Sequence, residues 1–372
     1  MTRTMRTSVD TRRADMTGPM IGATDPDHDQ ASSPGVEPGG CMSQQPSPPD
    51  AVWALATAGY AARCLHVVSD LGVADRIGDH PVTISELATS CGADPDALDR
   101  VLRLLAAHGI FAGQHGSYSH TPSSRLLRSD DQMSMRPFAQ LMGLPLSWGS
   151  LGEFKHSVQT GKPAVEILEP KGVWAYLQDR PDEAQIFARA MTAKASVDVD
   201  AVIAAYDFTR FGRIADIGGG RGHLLRAILE SAPGAEGILF DLPMLIDTLN
   251  ADDQPRLTLQ AGDFFVDALP NAESYILMDV LHDWADEPCV AILHAIRRAA
   301  PDSATVLVVE DLIPEGPTDP TASTLDIIML TMTGGRERTV DQLSNLFDTA
   351  GFGLVRVIDT RSSVHIVEAR PA

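Results

Sequence analysis

Residues Arg213–Leu225 read R-I-A-D-I-G-G-G-R-G-H-L-L, and the fold is decided there. The apolar run Ile214–Ile217 meets three glycines, Gly218, Gly219 and Gly220, then Gly222, and a helix-like run starts at Leu224. That order is strand, glycine turn, helix. Glycines let the backbone turn sharply and approach a ligand closely, and the following helix N-terminus favours negative charge. The spacing is D-x-G-x-G-x-G; a dinucleotide-binding turn, G-x-G-x-x-G, would place a glycine where His223 stands.

The strands that follow narrow the ligand. G-I-L-F-D-L-P puts Asp241 at the carboxyl end of a second strand, about 20 residues past the turn, where an acidic side chain can grip ribose hydroxyls. L-Q-A-G-D-F-F ends a third strand on Asp263 and Phe264, an acceptor beside an apolar wall for a purine. Each aspartate alone is equally well a turn or cap residue. Three successive strand ends in this order point to a nucleoside site at the edge where open α/β sheets bind ligands.

Strands and helices keep alternating: Ile214–Ile217, Gly237–Phe240, Leu257–Gln260, Tyr275–Leu281 and Ala304–Val309. The chain ends in a hairpin, F-G-L-V-R-V-I-D-T and V-H-I-V-E-A-R joined by R-S-S, after a helix with a T-x-x-Q capping box at Thr339 and Gln342. The expectation is a Rossmann-like α/β domain whose mostly parallel sheet closes with an antiparallel pair. The fourth strand runs into L-H-D-W, so His282 is expected at its carboxyl end, as a general base. A base needs an acidic neighbour to fix its tautomer. Glu310, ending V-L-V-V-E-D, and Glu337, in T-G-G-R-E-R-T, are both available; otherwise they pair with Arg336 and Arg338 at the surface.

Upstream, Ala51–Leu71 is apolar on nearly all sides and is expected to be buried by a second copy of the chain. Next come a capping box at Thr83 and Glu86, a helix start at Asp94 and Pro95 with Leu98, Val101, Leu102 and Leu105 on one face, a stop at Gly109, and a short hairpin after Phe111. Helix, turn, helix, hairpin is the winged-helix pattern. A DNA reader needs a basic recognition helix, whereas this one begins Asp94, Pro95, Asp96, so packing and pairing are expected instead of nucleic-acid binding. Between Pro137 and Ala205 the large apolar residues Phe138, Met142, Leu146, Trp148, Phe154, Trp174, Phe187 and Met191 read mostly as core, with Phe187, Met191 and Lys194 on one helix side.

The chain has 372 residues and a formal net charge of −21, which repels nucleic acid and anionic membrane surfaces. Four cysteines form no C-x-x-C pair, arguing against a zinc site or a disulfide framework and suiting a reduced cytosol. No stretch reads as approaching the ~20 apolar residues that span a bilayer. Residues 1–48, rich in Pro, Gly and Ser, are expected to be a disordered tail with no secretory h-region. The expected partition is this tail, a winged-helix dimerisation domain over 49–135 and the α/β domain over 136–372.

The set D-I-G-G-G-R-G, F-D-L-P, G-D-F-F, L-H-D-W and G-G-R-E-R-T, in this order over roughly residues 50 to 370, resembles the S-adenosylmethionine-dependent O-methyltransferases of the caffeic-acid and hydroxyindole type. The resemblance implies a cytoplasmic homodimer that methylates a hydroxylated aromatic or polyketide-like small molecule without a metal. It implies that Gly218 and Gly220 lie against the methionyl part of S-adenosylmethionine near Asp216. Asp241 would hold the ribose, Asp263 and Phe264 the adenine, and Met278 would lend backbone contacts. His282 would deprotonate the acceptor, flanked by Glu310 and Glu337, and Phe187 and Met191 would line its pocket.

Two departures bear on the acceptor. No Asn precedes the G-G motif, and Lys194 stands where some members carry His. Two rival outcomes stay open: a cofactor-retaining homologue that hydroxylates or decarboxylates, and a nucleoside-sensing winged-helix regulator.

Overall fold

The computed structural model describes residues 47–131, 133–250, 254–314, 316 and 320–372, without the side chains of 196 and 197. The expected tail therefore lies almost wholly outside the described residues. Helix α1, Pro48–Asp70, opens them. Among the described residues it alone is long and apolar enough to cross a bilayer, at 23 residues with a stretch of mean hydropathy 1.2. This corrects the reading that no segment approaches that length: small residues dilute the run without adding charge. Only its C-terminal end is covered, where Val68 joins Val73, Ile77, Leu87, Leu98, Leu102, Leu105, Phe111 and Tyr118 in a compact core.

That core belongs to β1 (Val82–Thr83), α2 (Ile84–Cys91), α3 (Pro95–Ala107), β2 (Phe111–Gln114) and β3 (Ser117–His120). The three strands pair antiparallel in the order β1-β3-β2, so the helix-helix-wing pattern forms as read. The Thr83–Glu86 capping box closes in both directions, and Asp94 caps α3 by accepting from the Ala97 N–H at 2.9 Å. His115 and Gly116 turn the hairpin with φ of 50° and 71°, the left-handed pair a two-residue loop requires.

Short helices follow: α4 (Pro122–Arg125), α5 (Arg136–Gly143), α6 (Pro145–Gly152), α7 (Phe154–Thr160), α8 (Val165–Leu168) and α9 (Gly172–Gln178), then the long α10 (Pro181–Ala205). Next comes the alternating part: β4 (Arg213–Ile217), α11 (His223–Ser231), β5 (Glu236–Asp241), α12 (Pro243–Ile246), β6 (Leu257–Ala261), β7 (Ser274–Met278), α13 (Asp286–Ala299) and β8 (Thr305–Asp311). Helices α14 (Pro320–Met332) and α15 (Val340–Thr349) lead into β9 (Phe352–Asp359) and β10 (Val364–Pro371). The sheet order is β6-β5-β4-β7-β8-β10-β9. Five strands run parallel, and the final hairpin inserts β10 antiparallel beside β8.

Side chains leave the strands alternately, so each strand feeds two cores. Ala215, Leu277, Val306 and Val308 pack with Ile292, Ile296, Leu343 and Phe347 on one face. Ile214, Leu239, Ile276, Leu307 and Val309 pack with Val202, Leu225 and Ile228 on the other. Covering both faces is what lets parallel strands be apolar throughout. It leaves the carboxyl rim as the open edge where polar side chains gather.

Candidate active site at the carboxyl rim

The glycine turn is built by left-handed residues. Gly218, Gly220 and Gly222 have φ of 68°, 59° and 76°, where any other residue is strained. A Cβ on Gly219 would collide with the Asp216 carboxylate and Leu239. Asp241 ties the turn to the neighbouring strand, its carboxylate accepting from the Gly220 N–H at 2.8 Å and the Leu242 N–H at 2.7 Å. Burial drives Asp216 up to about 7, aided by the nearby Asp241 charge. Asp241 rises to about 6 by burial, against its two backbone donors. Oδ1 of Asp216 is buried with no partner in the protein.

Phe264 lies beside the turn, 3.6 Å from where a Gly218 Cβ would be. Asp263 takes the turn role that was its alternative reading: Oδ1 accepts from the Phe265 N–H at 2.8 Å. Met278 ends β7 half-buried.

The expectation for His282 needs a shift. Strand β7 stops at Met278, because Asp279 adopts a left-handed φ of 53°. His282 then sits on a single helical turn, Leu281–Asp283. It still reaches the rim, buried, with Nδ1 2.8 Å from Oε1 of Glu337. An ionised carboxylate only accepts, so Nδ1 carries the hydrogen and Nε2 is left to take a proton.

The two glutamates divide the work. Glu337 holds the ring. Glu310 holds the backbone: its Oε1 accepts from the N–H groups of Leu281 and His282 at 2.6 and 3.1 Å. Neither forms the surface pair with Arg336 or Arg338 that was the alternative. Arg338 is itself buried, donating to the carbonyls of Leu281 and Trp284 at 2.9 and 2.7 Å and to Asp286 at 2.8 Å. Asp286, in the first turn of α13, is its ion-pair partner. Gly335 packs against the same turn so closely that a Cβ would strike the His282 carbonyl, and the Arg336 N–H donates to that carbonyl at 2.9 Å.

The electrostatics are unusual. Burial disfavours the His282 charge, but the Glu337 hydrogen bond and the nearby Asp283, Asp279 and Glu310 outweigh it, pushing His282 up to about 10. Burial lifts Asp283 to about 6 and Glu310 to about 7, against the pull of His282.

A row of aromatic rings leads away from the glycine turn. Phe264 contacts Trp284 with centroids 6.0 Å apart. Trp284 stacks on Trp174 at 6.3 Å, and Trp174 meets Phe187 edge-on at 5.7 Å. The row joins the expected pocket residue Phe187 to the rim; Met191 is half-buried four residues along α10. The part played by Trp174 and Trp284 went unread in the sequence: 110 residues separate them, and both carried a core reading or a motif position.

Comparison with known proteins accords with this geometry. The model of the O-methyltransferase domain family matches residues 152–353, and that of the O-methyltransferase dimerisation domain matches 53–130. A phenazine O-methyltransferase from Lysobacter antibioticus is 39% identical over 85% of this chain and 94% of its own. A solved O-methyltransferase from neocarzinostatin biosynthesis, in complex with S-adenosylmethionine and 2-hydroxy-5-methyl naphthoic acid, superposes with a TM-score of 0.74 at 32% identity, over 84% of this chain and 96% of its own. Human N-acetylserotonin methyltransferase in complex with S-adenosylmethionine superposes with a TM-score of 0.80 at 25% identity, over 89% and 99% of the two chains.

Proposed function

Since the chain belongs to the O-methyltransferase family, we propose that it transfers a methyl group from S-adenosylmethionine to a hydroxyl of an aromatic or polyketide-like small molecule, with His282 as the base. The observation that carries this is the buried His282–Glu337 pair, set on the rim that also holds the glycine turn.

The residues present suit the cofactor. The turn's open backbone at Gly218 and Gly220 offers close approach to a methionyl chain, and the unpartnered Oδ1 of Asp216 offers an acceptor. Asp241, at the end of β5, would accept ribose hydroxyls, Phe264 would lie against adenine with Asp263 beside it, and Met278 would lend backbone contacts. When bound, the cofactor supplies an electrophilic methyl on a positively charged sulfur.

The chain's own work is to position the acceptor and take one proton. Phe187, Met191, Trp174 and Trp284 give a planar acceptor an aromatic wall. Rings stack in offset or edge-to-face geometry, so an aromatic acceptor is the class this wall favours. Nε2 of His282 removes the hydroxyl proton, while Glu337 fixes the tautomer and balances the imidazolium that forms. Positioning of this kind lowers a barrier by up to about 7–11 kcal/mol in well-oriented cases.

Two copies are read as joining through α1, most of which lies in the stretch matched by the dimerisation domain family, with domains over 49–135 and 136–372 and a cytoplasmic setting. The test of activity is a panel of phenols and hydroxynaphthoates incubated with methyl-labelled cofactor. Products one labelled methyl heavier support the reading; oxygenated or decarboxylated products without label overturn it.

A further inference from the structure

Helix α10 carries a charge into the rim that the chemistry above leaves unused. Lys194 lies seven residues past Phe187, and its Nζ pairs with Oδ1 of Asp279 at 2.9 Å, both side chains largely buried. The backbone of Asp279 is held in place. The residue is one of three described non-glycine residues with positive φ, at 53°, and its N–H donates to the Val309 carbonyl at 3.1 Å. From that backbone its carboxylate pairs with Lys194, and its field reaches His282 three residues on, whose charge it favours.

From this juxtaposition we infer that Lys194 is a positioning residue for the base: by pairing with Asp279 it limits how strongly that carboxylate holds a proton on His282. The inference rests on the reading of His282 as the base.

The charge count around the imidazole shows why a cation is needed there. Glu337 reaches it from the loop before α15, Glu310 from β8, and Asp279 and Asp283 from its own turn. Arg338, a buried cation on the loop before α15, is taken up by two carbonyls and Asp286. Each of these carboxylates, when ionised, strengthens the hold of the imidazole on its proton. Lys194 is the cation that enters from the α10 side, and its field also reaches Asp283. Burial disfavours the lysine charge, but the Asp279 partner, with Asp311 and Glu337 behind it, outweighs that and holds its titration above the ordinary lysine value. An opposite charge at this distance typically moves a titration by one unit or more.

The inference predicts opposite signs for two substitutions. Lys194→Met releases Asp279 onto His282 and should raise the His282 titration by about one unit. Asp279→Asn removes the carboxylate and should lower it by a similar amount; asparagine tolerates the left-handed backbone. Lys194→Arg keeps the charge and should leave the titration near native. The readout is the imidazole resonance of His282 in histidine-labelled full-length protein with S-adenosylhomocysteine bound, assigned by its loss in His282→Ala. This readout stands apart from turnover, so the base assignment can fail while the charge relation holds, and the reverse. In turnover, Lys194→Met should lose about tenfold near pH 7 and recover as pH rises. A shift of the same sign in both variants, no shift in either, or a turnover loss in Lys194→Met that stays constant with pH would overturn the inference.

Discussion

Two regions of this chain invert the usual distribution of side chains, in opposite senses. Along the first half of α1, large apolar groups face solvent: Val52, Trp53, Leu55 and Tyr60 are 70%, 72%, 81% and 75% exposed. At the rim, charged groups are shut away: His282, Glu310 and Glu337 are 5%, 1% and 2% exposed. A single folded chain gains from neither. Exposed apolar surface costs roughly 25 cal/mol per Å² relative to burial, and a buried charge costs several kcal/mol unless paired. Under the reading proposed above, each region is completed from outside: α1 by a second copy, the rim by a cationic cofactor with its acceptor. The difference lies in tolerance: the rim already has internal partners for most of its charges, whereas the α1 face has none among the described residues.

The sharpest break comes at the rim. His282→Ala should cut turnover about 10²–10⁴-fold while cofactor affinity stays near native. It should be measured with an acceptor whose hydroxyl titrates well above the assay pH. Turnover within about threefold of native would remove His282 as the base. The surrounding carboxylates also move the expected pH profile. With His282 held near 10, and only neutral imidazole able to accept a proton, the rate should keep climbing through and beyond neutrality. The bound sulfonium opposes that shift, so the limb should fall between the ordinary histidine value and 10. A plateau already reached at pH 7 would show that the carboxylates do not govern the ring.

On the α1 side, Leu55→Asp places a charge in the exposed apolar face. If a second copy covers it, association should weaken by about 1.5–3 kcal/mol, the worth of burying one such side chain. Light scattering across a dilution series would read this, and unchanged association would put the interface elsewhere. Next in size, Glu337→Gln should slow turnover by about one to two orders of magnitude and Glu310→Gln by less, because a glutamine oxygen still accepts both backbone N–H groups. The two touch different atoms, so they do not substitute for each other, and the double variant should lose nearly the sum of the two effects in free energy. A double variant no worse than Glu337→Gln alone would contradict that division.

For the cofactor, Asp241→Asn should cost about 1–3 kcal/mol of affinity by calorimetry. A related pH effect has a definite sign. Burial raises Asp241 to about 6 in the free chain; under the proposed role its ionised form accepts ribose hydroxyls, so affinity should fall as pH drops through that value. Affinity flat from pH 8 to 5 would take Asp241 out of the site.

Much of this was legible in the sequence where local order carries the information. Strand, glycine turn and helix at Arg213–Leu225, the caps at Thr83, Asp94 and Thr339, and the closing hairpin all formed as read. What was not legible depended on single dihedrals or on distance along the chain. The end of β7 moved from Leu281 to Met278 because one aspartate took a left-handed backbone, which no propensity announces. Glu310 and Glu337 were equivalent as letters; only the fold distinguishes a carboxylate against two N–H groups from one against a ring. The pairing of Lys194 with Asp279 spans 85 residues, beyond any spacing rule.

The separation of His282 from Glu337 by 55 residues also has a consequence in time. A ribosome adds about 5–20 residues per second, so roughly 3–11 s pass between the two. During that interval β4 to β7 and their glycine turn have been made, while the carboxylate that sets the tautomer has not. About a quarter of the chain follows His282, so the ring is made well before the carboxylate that orients it, and the pair can close only near the end of synthesis.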